Sequence, residues 1–231
     1  TLDVALKEQD EFKQLFALDL LWTLPLEPWK KTIRHLFLEG SPAIKRGVLE
    51  LSWNQKNILP NGLINEQIKK QDDISPYAIV CASDRQIEGL GNMVKGYLNH
   101  ESTALNTASA IAILVKDPDY KEAKELIERN FKDGNQNNII EMLGFLRSSP
   151  ELVSHDQMLS ILESNNNEIN NSGLAIIGQD PNLNFFDHLI KLLAKPATAT
   201  HAEKALLSCP RDTISDRLLN IMSNTNSRQN I

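Results

Sequence analysis

Five histidines, His35, His100, His155, His188 and His201, are the residues best able to bind a metal or carry a proton, and their spacing argues against both roles. Zinc sites need ligands set tetrahedrally, usually as closely spaced pairs. Here no His has a second His, Cys or carboxylate at such a spacing on one helix face. Ser154, His155 and Asp156 supply nucleophile, base and acid types in succession, yet a working triad is assembled from separated positions around an oxyanion hole. Adjacent residues cannot face one another in that way, so the three read as the polar start of a helix after Pro150. Gly89-Leu90-Gly91 with Gly96 has the look of a dinucleotide loop, which must follow a strand so that pyrophosphate rests on a helix N-terminus. No strand precedes it, and the glycines are expected instead to admit close helix contact. Trp22, Trp29 and Trp53 cluster in the first third of the chain, where core or inter-repeat packing is the first expectation and a binding anchor the second. The sequence therefore offers no catalytic set, no metal site and no cofactor.

The elements that would position any site are helical. The 231 residues suffice for one large domain or two small ones, and 41% hydrophobic against 23% charged residues is ordinary for a globular chain. A net charge of -6 with Lys and Arg scattered among Asp and Glu gives no attraction to phosphate backbones. Cys81 and Cys209 lie far apart inside apolar runs, as buried thiols of a reducing compartment do. No segment approaches the roughly 20 apolar residues of a membrane span. A cytoplasmic location is expected, or the cytosolic part of a membrane protein, with no membrane insertion of this segment itself.

One unit recurs along the chain: a turn rich in Asp, Asn, Ser or Pro, a short helix of small and apolar residues, a second turn, then a more amphipathic helix. The best copies begin at Asp10, at Ser41-Pro42 and at Ser102, with weaker ones near Ser75-Pro76, Asn135, Asn166 and Thr198. Their starts fall about 32 residues apart, within the range of helical-pair repeats. Partner helices are expected near 28–38, 58–70, 87–98, 120–131, 151–162, 184–193 and 212–222. Pro42 sits where a first-turn proline loses no hydrogen bond, and Gly40 and Gly134 sit where a left-handed C-terminal cap is expected. The run Tyr77 to Ala82 is the nearest thing to a strand, but it occupies a position where the period requires a helix. A lone helix pair cannot bury its apolar face, so the pairs are expected to stack into one elongated domain over 1–223, with 224–231 a polar tail or linker. The opening at Thr1 and the polar run 223–230 fit an excised piece of a larger protein.

These residues, best at 41–51 and 98–114, resemble the HEAT-repeat family. Ser41-Pro42 and Ile44-Lys45 look like that family's Asp-Pro and Val-Arg steps, while Leu105-Asn106 and Ile169-Asn170 keep only the apolar half. The resemblance implies an all-α fold, an α-solenoid of about six to seven antiparallel helix pairs forming an α–α superhelix. The missing Asp and Arg put the family's regular inter-repeat ladder in doubt. Leu15 to Leu21 together with Ser41 to Leu51 also resembles HEAT segments of bacterial multidomain proteins, including fusions to nucleotide-translocase-like transporters.

Solenoid curvature creates concave surfaces, so the expected function is non-catalytic protein interaction or scaffolding, with a protein partner or flanking domains of the same chain. The polar residues expected to line that surface are Lys13, Gln14, Lys45, Arg46, Arg85, Asn106, Asn137, Asn138, Asn170 and Asn171. Two alternatives stand beside it: a HEAT-like DNA glycosylase, which would need a basic groove, and a passive spacer or dimerisation segment.

Overall fold

The computed structural model describes residues 2–53, 58–181 and 183–210, together with Ser215, Arg217 and Leu219. Among the described residues the protein is all-helical, with no strand. The polar tail 224–231 and most of the helix expected at 212–222 lie outside them. The chain divides into two compact units, Thr1–Ser149 and Pro150–Ile231.

The first unit holds α1 (Leu2–Lys7), α2 (Glu11–Leu20), α3 (Lys30–Glu39), α4 (Pro42–Leu51), α5 (Asn61–Lys69), α6 (Ser75–Asp84), α7 (Leu90–Val94), α8 (Thr103–Leu114), α9 (Lys121–Asp133) and α10 (Gln136–Leu146). The expected starts of the small-residue helices hold at their caps. Side chains of Asp10, Ser41, Ser102 and Asn135 each accept a hydrogen bond from the backbone N–H three residues on, which satisfies donors a helix start leaves without a partner. The run Tyr77 to Ala82 is helix, inside α6. Each even-numbered helix packs on the one before it, and successive even-numbered helices also touch: α2 on α4, α4 on α6, α6 on α8 and α8 on α10. The middle of this row is the core. Every residue of α6 from Ser75 to Ser83 is buried, as are Leu105 and Thr107 to Leu114 of α8. Both helices carry apolar or small residues all round, the pattern of a helix enclosed by others.

The second unit repeats the arrangement on a smaller scale. It contains α11 (His155–Leu162), α12 (Asn167–Ile177), α13 (Phe186–Leu193) and α14 (Ala199–Ser208). Here α11 packs on α12, α13 on α14, and α12 on α14. Ser154 opens α11 with a capping box: its hydroxyl accepts from the Gln157 N–H and the Gln157 side chain accepts from the Ser154 N–H. Gly173 of α12 is required by packing, because a Cβ there would strike Cγ2 of Ile161 on α11.

Three expectations are corrected. Gly40 and Gly134 are not left-handed; both are extended, with φ of -70° and -67°. They must be glycine because a Cβ would collide with the carbonyl oxygens of Leu36 and Asn130. The left-handed residues that follow helices are Gln71 and Gln86, at φ of 54° and 55°. The glycines at 89, 91 and 96 do not serve close helix contact, since a Cβ at any of them would meet nothing within 4 Å. Gly89 instead has φ of 77° and opens α7, a conformation L side chains resist. It also shortens the helix expected over 87–98 to Leu90–Val94 and a 3-10 turn, Lys95–Tyr97.

Candidate functional site

The amides of the expected contact surface are largely used inside the fold. Gln14, Asn106 and Asn170 each lie four residues after a cap, Asp10, Ser102 and Asn166. Side chains on a helix tilt toward its N-terminus, so an amide in this position reaches back to the carbonyls that end the preceding helix. Gln14 Nε2 donates to the carbonyl of Glu8 at 2.7 Å and of Leu6 at 3.3 Å. Asn106 Nδ2 donates to the carbonyl of His100 at 3.2 Å. Asn170, fully buried, donates from one nitrogen to the carbonyls of Ile161, Leu162 and Ser164 at 2.9 to 3.1 Å. Asn171 donates to the Ala197 carbonyl at 3.3 Å. Sequence reasoning placed these amides on a binding face; for Gln14, Asn106 and Asn170 the signal it missed is the offset of four from the cap.

Arg85 is likewise internal. Its guanidinium donates to the carbonyls of Leu59 and Ser52 at 2.7 and 3.3 Å, holding the segment before α5 against α6. Arg46 lies on α4, ion-paired with Glu50 at 3.0 Å and stacked 4.7 Å over the Tyr77 ring. Tyr77 in turn donates from its hydroxyl to Glu141 of α10 at 3.0 Å and meets Phe145 edge-on. Burial, only partly offset by Arg46, together with the Glu141 carboxylate keeps that phenol protonated well above its ordinary range. Arg147, at the end of α10, lies 5.9 Å from the Trp22 ring centroid, just beyond α2. Arg46, Tyr77 and Glu141 thus form one chain of contacts across α4, α6 and α10. Lys13 pairs with Glu8 at 2.5 Å. Lys45 is half-buried and Asn137 is exposed. Asn138 lends its backbone N–H to the Asn135 cap.

The catalytic possibilities weighed in the sequence have structural uses. Ser154 is a cap, and His155 stacks on Phe185 with ring centroids 4.9 Å apart. Cys81 and Cys209 are buried and unpaired. Burial pushes the Cys81 thiol up to about 12, far from a nucleophile's range. Among the described residues no three of His, Cys, Asp and Glu come together to hold a metal, and no helix is long and apolar enough to cross a membrane.

Two surface features at the start of the first unit remain. On α2, Phe12, Phe16 and Leu20 are 79%, 57% and 45% exposed and follow each other at intervals of four, which forms a single apolar stripe. On another side, a pocket of about 480 Å³ opens where α1 meets α2 and α3 meets α4. The buried Leu6 and Leu36 lie among its lining, and three carboxylates, Glu8, Glu11 and Glu39, line it with His35 and Lys7. That volume is within the roughly 300–1,000 Å³ of ligand sites.

No protein-family model, curated protein or solved structure matches this chain.

Proposed function

We propose that the protein is a helical-repeat binding module of the HEAT type, an α-solenoid that engages a protein partner or flanking domains of its own protein and does no chemistry. The observation that carries this reading is the packing order. Each even-numbered helix leans on its predecessor, and successive even-numbered helices pack on one another within each unit, the order in which stacked helical repeats pack. The apolar stripe on α2 supports an interaction role, because contiguous exposed apolar surface on a folded chain marks contact sites. The DNA glycosylase reading loses support from the pocket: Glu8, Glu11 and Glu39 repel phosphate where such an enzyme needs a basic groove.

A scan with a photo-crosslinking amino acid, placed in the source cell at Phe12, Phe16, Lys45, Asn137 and the pocket rim, tests the proposal. Adducts to one protein from a contiguous subset of positions are expected. Absence of adducts from every position sinks the binding reading and leaves the passive spacer.

A further inference from the structure

The pocket at the start of the first unit carries an inference about the partner, and it rests on the binding-module reading above. Of its carboxylates, Glu8 is already answered by Lys13 at 2.5 Å, and the one lysine on the wall, Lys7, is held by Asp3 at 2.7 Å. Glu11 on α2 and Glu39 on α3 have no ion-pair partner among the described residues. Helix ends of both signs converge here, the C-termini of α1 and α3 with the N-termini of α2 and α4, so their dipoles offset each other and the side chains set the sign. The result is a pocket whose unpaired side-chain charges are acidic.

We infer that this pocket docks an arginine side chain presented by a protein partner. An anionic group is repelled at the rim. Arginine suits the pocket: its methylene stem enters the volume while its charged head stays at the acidic, wet edge. Its planar fork of five donors suits a lining that carries carboxylates on two helices, α2 and α3. Gln9 and Thr32, also on the lining, offer hydrogen bonds to the backbone of a peptide, which a free polyamine lacks.

The full chain, labelled with nitrogen-15, is titrated with a capped Ala-Arg-Ala peptide, with the same peptide carrying neutral, isosteric citrulline, and with spermidine. The arginine peptide is expected to shift the amides of Gln9, Glu11, Thr32 and Gly40. Citrulline should bind at least about tenfold more weakly, as should the arginine peptide on the Glu11→Gln/Glu39→Gln variant, a loss of about 1.4 kcal/mol. Glu128→Gln, exposed on α9, should leave binding unchanged. Both substituted glutamates are exposed, and the single Glu39→Gln change serves if the double variant loses helicity. Equal binding of arginine and citrulline peptides, shifts scattered away from the pocket, or unchanged affinity in the glutamine variants overturns the inference. Spermidine binding as tightly as the peptide overturns the assignment to a partner's side chain. Failure here alongside successful crosslinks elsewhere removes only the pocket; failure of both removes the binding reading as well.

Discussion

Helices α2 and α8 occupy the same place in their repeats, each following a capped turn and each rich in apolar residues, yet their surroundings are opposite. In α8 nearly every side chain from Leu105 to Leu114 is buried, whereas α2 buries only Ala17 and Leu18 and turns Phe12, Phe16 and Leu20 outward. The difference is position in the row. Helix α8 touches α6, α7, α9 and α10, while α2 touches α1 and α4 and has an open side. An apolar side chain in a repeat array is thus a core residue or a contact residue according to how many neighbours its helix has. Composition of the helix alone does not decide it.

The sharpest way to break that comparison is a matched pair of truncations. Ile111→Ala in α8, at a side chain 1% exposed, should cost about 2–5 kcal/mol, while Phe16→Ala in α2 should stay within about 0.5 kcal/mol. Urea midpoints measure both, and equal losses would dissolve the distinction. In α12, the small-residue helix of the second unit, Gly173→Ala pushes a methyl group into Ile161, whose branched carbon has little room to turn. Such overpacking should cost about 1–3 kcal/mol by the same measurement.

The cap-plus-four amides extend the comparison to polar groups. Asn170→Ala leaves three carbonyls at the end of α11 without their donor inside a fully buried site, for about 1–3 kcal/mol. Gln14→Ala removes the equivalent group from a half-exposed position, for about 0.5–1.5 kcal/mol. A Gln14 loss equal to or above that of Asn170 would contradict the ranking by burial.

The smallest effect concerns pH. Asp72, in the turn before α6, sits partly buried, which raises its pKa. Hydrogen bonds from Gln67, the Ile74 N–H, and the hydroxyl and N–H of Ser75 outweigh that and hold it below the ordinary value. A carboxylate depressed in the folded state stabilises it above the unfolded pKa near about 3.9 and loses that contribution as pH falls through the folded pKa. Asp72→Asn should therefore flatten the acid limb of the stability profile below about pH 4. An unchanged limb would assign the turn's strength to Ser75 and Gln67 alone.

Much of this was legible in the sequence because helix starts are written in short-range chemistry. Asp10, Ser41, Ser102, Asn135 and Asn166 all cap where the repeat spacing put them, and Pro42 occupies the first turn of α4. Helix ends were harder to read. Gly40 and Gly134 suggested left-handed caps, but their smallness answers a carbonyl four residues back, a contact that depends on the exit direction of the chain. The expected binding residues fared according to reach. Gln14, Arg85, Asn106 and Asn170 looked like solvated helix positions, and only the three-dimensional approach of a preceding helix end turns them inward. The pocket itself was hidden, since Glu39 comes from a stretch of chain separate from that of Glu8 and Glu11.

Native-state hydrogen exchange tests the row directly. If α8 is its enclosed centre and α2 its open start, the amides of α8 and α6 exchange only through global unfolding, and those of α1 and α2 at least about a hundredfold faster. Amides in α2 as strongly protected as those in α8 would contradict the account.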